Sequence, residues 1–178
     1  MRELTKPIKV LVGEFAELTE QEQSLLRCAA KVRLNAQAPY SNYWVGVAIL
    51  SQKGTIHLGC NVERCTWTQT THAEQNAVDS MVAELGPAKV EIVALVAAPA
   101  GISVLIPPKE RIKLVSSIEE APVPCGHCLQ IIWENCLQDP NVKIIALTAG
   151  GDVVSTTMGD ALPMRFGPEH LGVNYGQR

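Results

Sequence analysis

No apolar run in this chain approaches the ~20 residues a bilayer-crossing helix needs. The opening stretch, MRELTKPIKVLVGEFAEL, carries Glu3, Glu14 and Glu17 and lacks the long apolar core of a secretory signal, so the expected location is the cytoplasm. An excess of positive charge is missing too. The 178 residues carry a net charge of -3 and give a pI near 5.8. A broad nucleic-acid surface needs a basic stripe, and an editing groove needs basic and aromatic residues interleaved; neither is evident. Repeats, low-complexity tracts and clear linkers are absent. In a reducing compartment the six cysteines (Cys28, Cys60, Cys65, Cys125, Cys128 and Cys136) are expected as thiols. Hydrophobic residues make up 47% of the chain and charged residues 19%, a balance that folds rather than stays disordered. The length suits one domain spanning 1–178.

Residues 1–18 read as a lead-in. Thr19 and Glu22 have capping-box spacing, and Leu25, Leu26, Ala29, Ala30 and Val32 supply an apolar face, which predicts a helix over 20–36. NAQAPYSN stops it, because Pro39 restricts Ala38 and Asn42 favours a turn. WVGVAIL (44–50) and TIHLGCNV (55–62) read as strands joined by the hairpin loop SQKG. A second helix is predicted over 72–85, ending at Gly86-Pro87. The continuous apolar run VEIVALVAA (90–98) suits a strand covered on both faces. A third helix starts near Cys125 and stops before Asp139-Pro140; VKIIALTA (142–149) and VVSTTM (153–158) are the last strands, turning at Gly150-Gly151-Asp152. This order predicts an α/β fold: a three-layer α/β/α sandwich around a mixed five-stranded sheet. The segment 99–123 reads as an insertion. ISVLI suits a strand, PPKERIK is polar, and an unstructured loop of that length is unusual in a compact domain.

The chemistry concentrates at two predicted helix starts. In THAEQNAV, His72 and Glu74 are separated only by Ala73, and residues two apart do not face each other on a regular helix. Both can reach one object lying beyond the N-terminus, toward which side chains tilt. PCGHC supplies Cys125 and Cys128, three apart, able to point to one side and share an ion. Two thiolates and an imidazole suit Zn²⁺ and leave a fourth tetrahedral position for water, which the ion acidifies. Glu74 then reaches that water, and both helices aim their positive ends at the site. Alone, CxxC also suits structural zinc or a redox pair, and a lone His72 suits a hydrogen-bonded core residue. Together, H-x-E followed by P-C-x-x-C is the general pattern of zinc deaminases. His127 is the rival fourth ligand, but its place on the turn aims it elsewhere, toward packing or hydrogen bonding. Cys28 and Cys136 fall on apolar helix faces as small core residues. Cys60 and Cys65 flank NVER, where burial is the expectation over a place near the pocket.

With these residues assembled, the chain resembles the cytidine deaminase family over most of 20–171. APYSNYWVGVAI (38–49) resembles that family's first-strand entry and GCNVE (59–63) its ribose-binding segment. THAEQNAV and PCGHCLQ resemble its zinc helices, and LPMRFGPEHL (162–171) its C-terminal segment. The resemblance implies hydrolytic deamination of cytidine and deoxycytidine to uridine and deoxyuridine. Zinc-bound hydroxide attacks C4, while Glu74 takes the water's proton, delivers it to N3 and helps protonate the departing amine. It implies that Asn61 and Glu63 hold the ribose 3′-hydroxyl and that Tyr43 lines the pocket. The backbone of Ala73 and of Val123 or Pro124 would contact the base edge, and Phe166 would cover a pocket, its own or a neighbouring subunit's. It also implies a homo-oligomer, a tetramer before a dimer. Read without the resemblance, Asn61 is a strand-end turn residue, Glu63 a solvated carboxylate and Tyr43 a core aromatic.

Several positions depart from the family pattern. Trp44 stands where lysine is frequent, Arg64 where an uncharged residue is usual, and Trp67 adds bulk nearby. Leu129 replaces an arginine that offsets charge in three-cysteine sites, a loss that the neutral His72 makes tolerable. The segment 99–123 exceeds the usual crossing to the zinc cysteines and enters just before Val123-Pro124. Arg64, Lys109, Arg111 and Lys113 read as solvated charges; facing the pocket, they would imply an acidic group or an unusual base. Three alternatives stay open. One is a deaminase of a modified nucleoside or other amino-heterocycle, and another is one acting on a nucleotide, against which an ionised Glu63 would repel a 5′-phosphate. The third is a catalytically silent zinc-binding assembly module, which has no use for Glu74.

Overall fold

The computed structural model describes residues 1–104, 106–108 and 115–173. Helix α1 (Glu20–Arg33) opens on the expected capping box: the Thr19 hydroxyl accepts from the Glu22 amide and the Glu22 carboxylate accepts from the Thr19 amide. Among the described residues six strands follow or precede it: β1 (Leu11–Gly13), β2 (Tyr43–Ser51), β3 (Ile56–Cys60), β4 (Val90–Pro99), β5 (Lys143–Leu147) and β6 (Val153–Thr157). The further helices are α2 (Ala73–Leu85), α3 (Gly126–Glu134) and the short α4 (Met158–Ala161). The sheet order is β1-β6-β5-β4-β2-β3, with β4 and β5 parallel and the other neighbours antiparallel.

Strand alternation builds the three layers. Val47, Ile49, Val93, Leu95, Ile144 and Ala146 pack on one face with α2 and α3, through Ala77, Met81, Ile132 and Trp133. Their neighbours Ala48, Leu50, Ala94, Val96, Ile145 and Leu147 pack on the other with α1, through Leu25, Leu26 and Ala29. Two glycines set how closely the helices approach. A Cβ at Gly46 would lie 2.1 Å from the Ala29 carbonyl oxygen, and one at Gly59 would lie 2.3 Å from the Ala73 carbonyl oxygen. Only a bare backbone lets α1 and α2 seat there.

The expected sandwich is present with one strand more than predicted. The sixth lies in the stretch read as a lead-in, where Leu11–Gly13 pairs antiparallel with Val153–Ser155. Three mostly exposed residues give no alternation to read. Helix α3 ends before Asp139-Pro140, as expected: Asn135 leaves helical geometry at its C-cap (φ -101°, ψ 9°), and positive φ angles of 48° and 65° at Leu137 and Gln138 keep the helix from resuming. Of ISVLI, Ile102–Val104 form no strand, and Leu105 lies outside the described residues, as do Lys109, Arg111 and Lys113.

The end of β4 is held by Arg33, which is fully buried. Its guanidinium donates to the carbonyls of Ala98 (3.0 Å), Pro99 (2.9 Å), Ile102 (3.1 Å) and Trp44 (3.0 Å) and lies over the Trp44 ring. Three of these carbonyls belong to the end of β4 and the chain leaving it, and the fourth, of Trp44, to the start of β2, so Arg33 ties the departure of the segment 99–123 to the neighbouring strand.

Candidate active site

His72 and Cys125 occupy equivalent places, each the residue immediately before a helix, with extended backbone and no hydrogen bond from its side chain to its own helix. Both side chains turn outward and meet. His72 Nδ1 lies 3.5 Å from Cys125 Sγ and 3.3 Å from Cys128 Sγ, and the three donor atoms sit within 4.8 Å of one another. A tetrahedral zinc with Zn–N of about 2.05 Å and Zn–S of about 2.3 Å separates nitrogen and sulfur by about 3.6 Å. The donor set therefore has the edge lengths of a zinc site before any ligand has to move far. Burial, then the Glu74 carboxylate and Cys125, push the Cys128 thiol up from its ordinary value. A divalent cation among these donors reverses that preference, since the thiolate is the ligating form. His127 is exposed and packs its ring edge-on to His72 at 5.6 Å, the packing role expected of it.

Two contacts fix the start of α2. The Asn76 amide group donates to the Cys60 carbonyl (3.0 Å), tying the helix to the end of β3. Val62 and Thr71 exchange backbone hydrogen bonds (2.9 and 3.0 Å), closing the loop between them. Glu74, on the first turn, is buried and within hydrogen-bonding reach of Cys128.

These groups open into a cavity of about 500 Å³. His72, Ala73, Glu74 and Cys125 form one end; Tyr43, Asn61 and Glu63 also line it. Asn61 is built in rather than dangling. Its side-chain oxygen accepts from the Val45 amide (3.0 Å) and its nitrogen donates to the Tyr43 carbonyl (2.9 Å). The side chain thus continues the ladder where β3 stops, and the strand is shorter than predicted for that reason. Glu63 is buried, not solvated: one carboxylate oxygen accepts from the amides of Tyr40 (2.9 Å) and Ser41 (3.2 Å). Burial pushes its pKa up, but the Ser41 hydroxyl and these two amides outweigh it and hold the carboxyl below the usual range. Tyr43 is 44% exposed, so it is a cavity edge and not a core aromatic.

Val45, Thr70, Leu95, Ala97 and Pro122 also line the cavity, and they were not singled out from the sequence. Trp67 and Val123 join them; Trp67 packs against Tyr40 at a ring separation of 5.5 Å. Phe166 does not line the cavity. It is exposed, stacked on His170, and its carbonyl accepts from Gln130 (2.8 Å). Arg64 is exposed and donates to the Glu63 carbonyl. Cys136 is buried and Cys28 partly so, as expected; Cys65 is exposed and Cys60 half-buried, and neither lines the cavity.

Residues 19–143 match the cytidine and deoxycytidylate deaminase zinc-binding region. A cytidine deaminase of Sporosarcina psychrophila is 31% identical over 150 residues, covering 84% of this chain and 93% of the relative. A cytidine deaminase of Serratia proteamaculans is 30% identical over 152 residues, covering 84% of this chain but 40% of that longer protein. The crystal structure of a cytidine deaminase from Burkholderia pseudomallei superposes with a TM-score of 0.64 at 29% identity, covering 84% of this chain and all of that one.

Proposed function

This chain belongs to the cytidine and deoxycytidylate deaminase family, and on that premise we propose that it hydrolyses cytidine and deoxycytidine to the uridine products and ammonia. Zinc held by His72 Nδ1 and the thiolates of Cys125 and Cys128 would supply a Lewis acid that brings the pKa of water toward neutrality. Glu74 does the proton work. Buried beside the donor set and facing the cavity, it takes a proton from water, passes it to N3 of the base, and then helps protonate the departing amine at C4. Asn61 and Glu63 fix the ribose 3′-hydroxyl at the far end, an amide and an ionised carboxylate between them defining its direction. Tyr43 and the backbone of Ala73 bound the base. Phe166 acts on a neighbouring subunit's pocket.

The observation that carries this reading is the placement of Glu74: a buried carboxylate at a metal-binding triad, opening into a cavity that also holds Asn61 and Glu63. A silent zinc module needs no such group. Glu63, held ionised, favours a free nucleoside over a nucleotide. A second reading, a nucleoside with a modified base, draws support from the cavity wall that Pro122 and Val123 contribute from the segment 99–123. The exposed Met164, Phe166 and Leu171 in one short segment support a homo-oligomer, which we take as a tetramer of whole-chain catalytic domains in the cytoplasm. Among the described residues no helix is long and apolar enough to cross a membrane.

The test is ammonia release by zinc-loaded protein from cytidine, deoxycytidine, their monophosphates, cytosine and other aminated heterocycles. Glu74→Gln should lower kcat on the two nucleosides by about 10²- to 10⁴-fold with zinc content unchanged. Full activity in the variant, or ammonia from none of these compounds, overturns the proposal.

A further inference from the structure

The return limb of the long crossing, Val115–Val123, ends at the cavity, and its start faces Ile8, Val10 and Val12 across a shallow groove. Of its nine residues only Ala121 is buried. Internally it is closed. Glu120 accepts from both the amide (2.9 Å) and the hydroxyl (3.0 Å) of Ser116, and a single 3-10 turn spans Ile118–Glu120. The Glu120 and Ala121 amides return to the carbonyls of Ser117 and Ile118. Each end of this turn is tied to the fold. One end runs through buried Pro124 into Cys125. The other is tied by the Val115 amide, which donates to the Asp152 carboxylate at 2.9 Å.

Asp152 is a fixed post. It is 1% exposed and sits in the turn between β5 and β6. Its own amide donates to the Thr148 hydroxyl (3.0 Å), its carbonyl accepts from the Thr148 amide (3.0 Å), and Gly151 closes the same turn. The cavity residues at the far end of the limb are Pro122 and Val123; Asp152 itself does not line the cavity.

We propose that Asp152 is a positioning residue for substrate binding: by holding Val115 it sets the Ser117–Ala121 turn and so the Pro122–Val123 wall of the cavity. This rests on the nucleoside deaminase reading for the identity of the substrate. The wall contacts substrate in the ground state and the transition state alike, so a displaced wall raises KM and leaves kcat nearly intact. Removing Glu74 does the opposite.

The experiment compares zinc-loaded wild type, Asp152→Ala and Asp152→Asn in steady-state deamination of cytidine, with amide hydrogen exchange over 115–125. Asp152→Ala should raise KM about tenfold, keep kcat within about twofold and bind zinc normally. Protection of the limb amides should fall together with it. Asp152→Asn retains an acceptor oxygen and should recover most of both losses. If Asp152→Ala does not fold, Val115→Pro removes the donor of the same bond and should give the same KM rise. Unchanged KM and exchange in these variants overturns the proposal, as does a parallel loss of kcat and KM with melting temperature, or no recovery in Asp152→Asn. A wild type inactive on cytosine nucleosides refutes the substrate reading instead, and the exchange comparison still tests the limb.

Discussion

Gly59→Ala separates the metal centre from the general stability of the sandwich. The new Cβ would lie 2.3 Å from the Ala73 carbonyl oxygen and 2.4 Å from the Ala77 amide nitrogen, both backbone atoms of α2. Ordinary contact needs more than about 3.4 Å, so helix and strand must part by about 1 Å. Overpacking of this kind costs about 1–3 kcal/mol, a Tm fall of roughly 2–12 °C for a chain this size. The larger consequence is local. The first turn of α2 carries Ala73 and Glu74 and follows directly on His72, whose Nδ1 meets the sulfurs at 3.3 and 3.5 Å. That fit has a tolerance of tenths of an ångström, and a displacement near 1 Å at a reacting centre can cost about 10²-fold in rate.

Gly46→Ala is the matched control. Its Cβ would lie 2.1 Å from the Ala29 carbonyl oxygen and 2.6 Å from the Arg33 amide nitrogen, an equal insult against α1, which bears no metal donor. Both variants should melt lower. Only Gly59→Ala should weaken metal binding, read by competition with a chelator and by the thiolate charge-transfer band of the cobalt-substituted protein. It should also lose about 10²-fold in kcat/KM beyond the control. Equal metal affinity and kcat/KM in the two variants would refute the claim that the Gly59 contact sets the position of His72 and Glu74.

Arg33→Met should cost about 3 kcal/mol or more in chemical denaturation, because four backbone carbonyls lose a buried charged donor at once; a loss under about 1 kcal/mol would show that water replaces the guanidinium freely. Glu63→Gln should lower Tm most near neutral pH. The folded carboxyl titrates below its ordinary 4.5, so its stabilisation is fully present above that value and fades as pH falls through the folded pKa. A Tm deficit that stays constant or grows on acidification would contradict the assigned direction.

The helices and central strands were legible because their signals are local. Thr19 and Glu22 announce α1 by spacing alone, and the β4 run is apolar on both faces because both faces are covered. The first strand was not legible: Leu11–Gly13 is stabilised by pairing with β6, about 140 residues away, and carries no periodic pattern of its own. The exact end of α3 has a similar cause. Nothing in NCLQDP fixes positive φ at Leu137 and Gln138; the tertiary position of Asp139, paired with Lys89 at 2.9 Å, accompanies that turn.

The site divides along the same line. Leu95 and Ala97 look like any inward residues of a buried strand, and whether such a residue meets a helix or a cavity depends on what lies across from it. The candidate metal donors were legible for the opposite reason: they break a local rule. The residue before a helix is best Ser, Thr, Asp or Asn, whose side chain caps an orphan amide and contributes about 1 kcal/mol. At His72 and Cys125 both helices forgo that cap, and the two side chains point at each other instead. An ion bound between the two helix ends would offset that loss. The same exposed amide ends that make the omission costly supply positive potential to thiolates there. The uncapped helix starts and the candidate donor set are therefore one feature, and it is the part of this site that a sequence can display without a partner strand to reveal it.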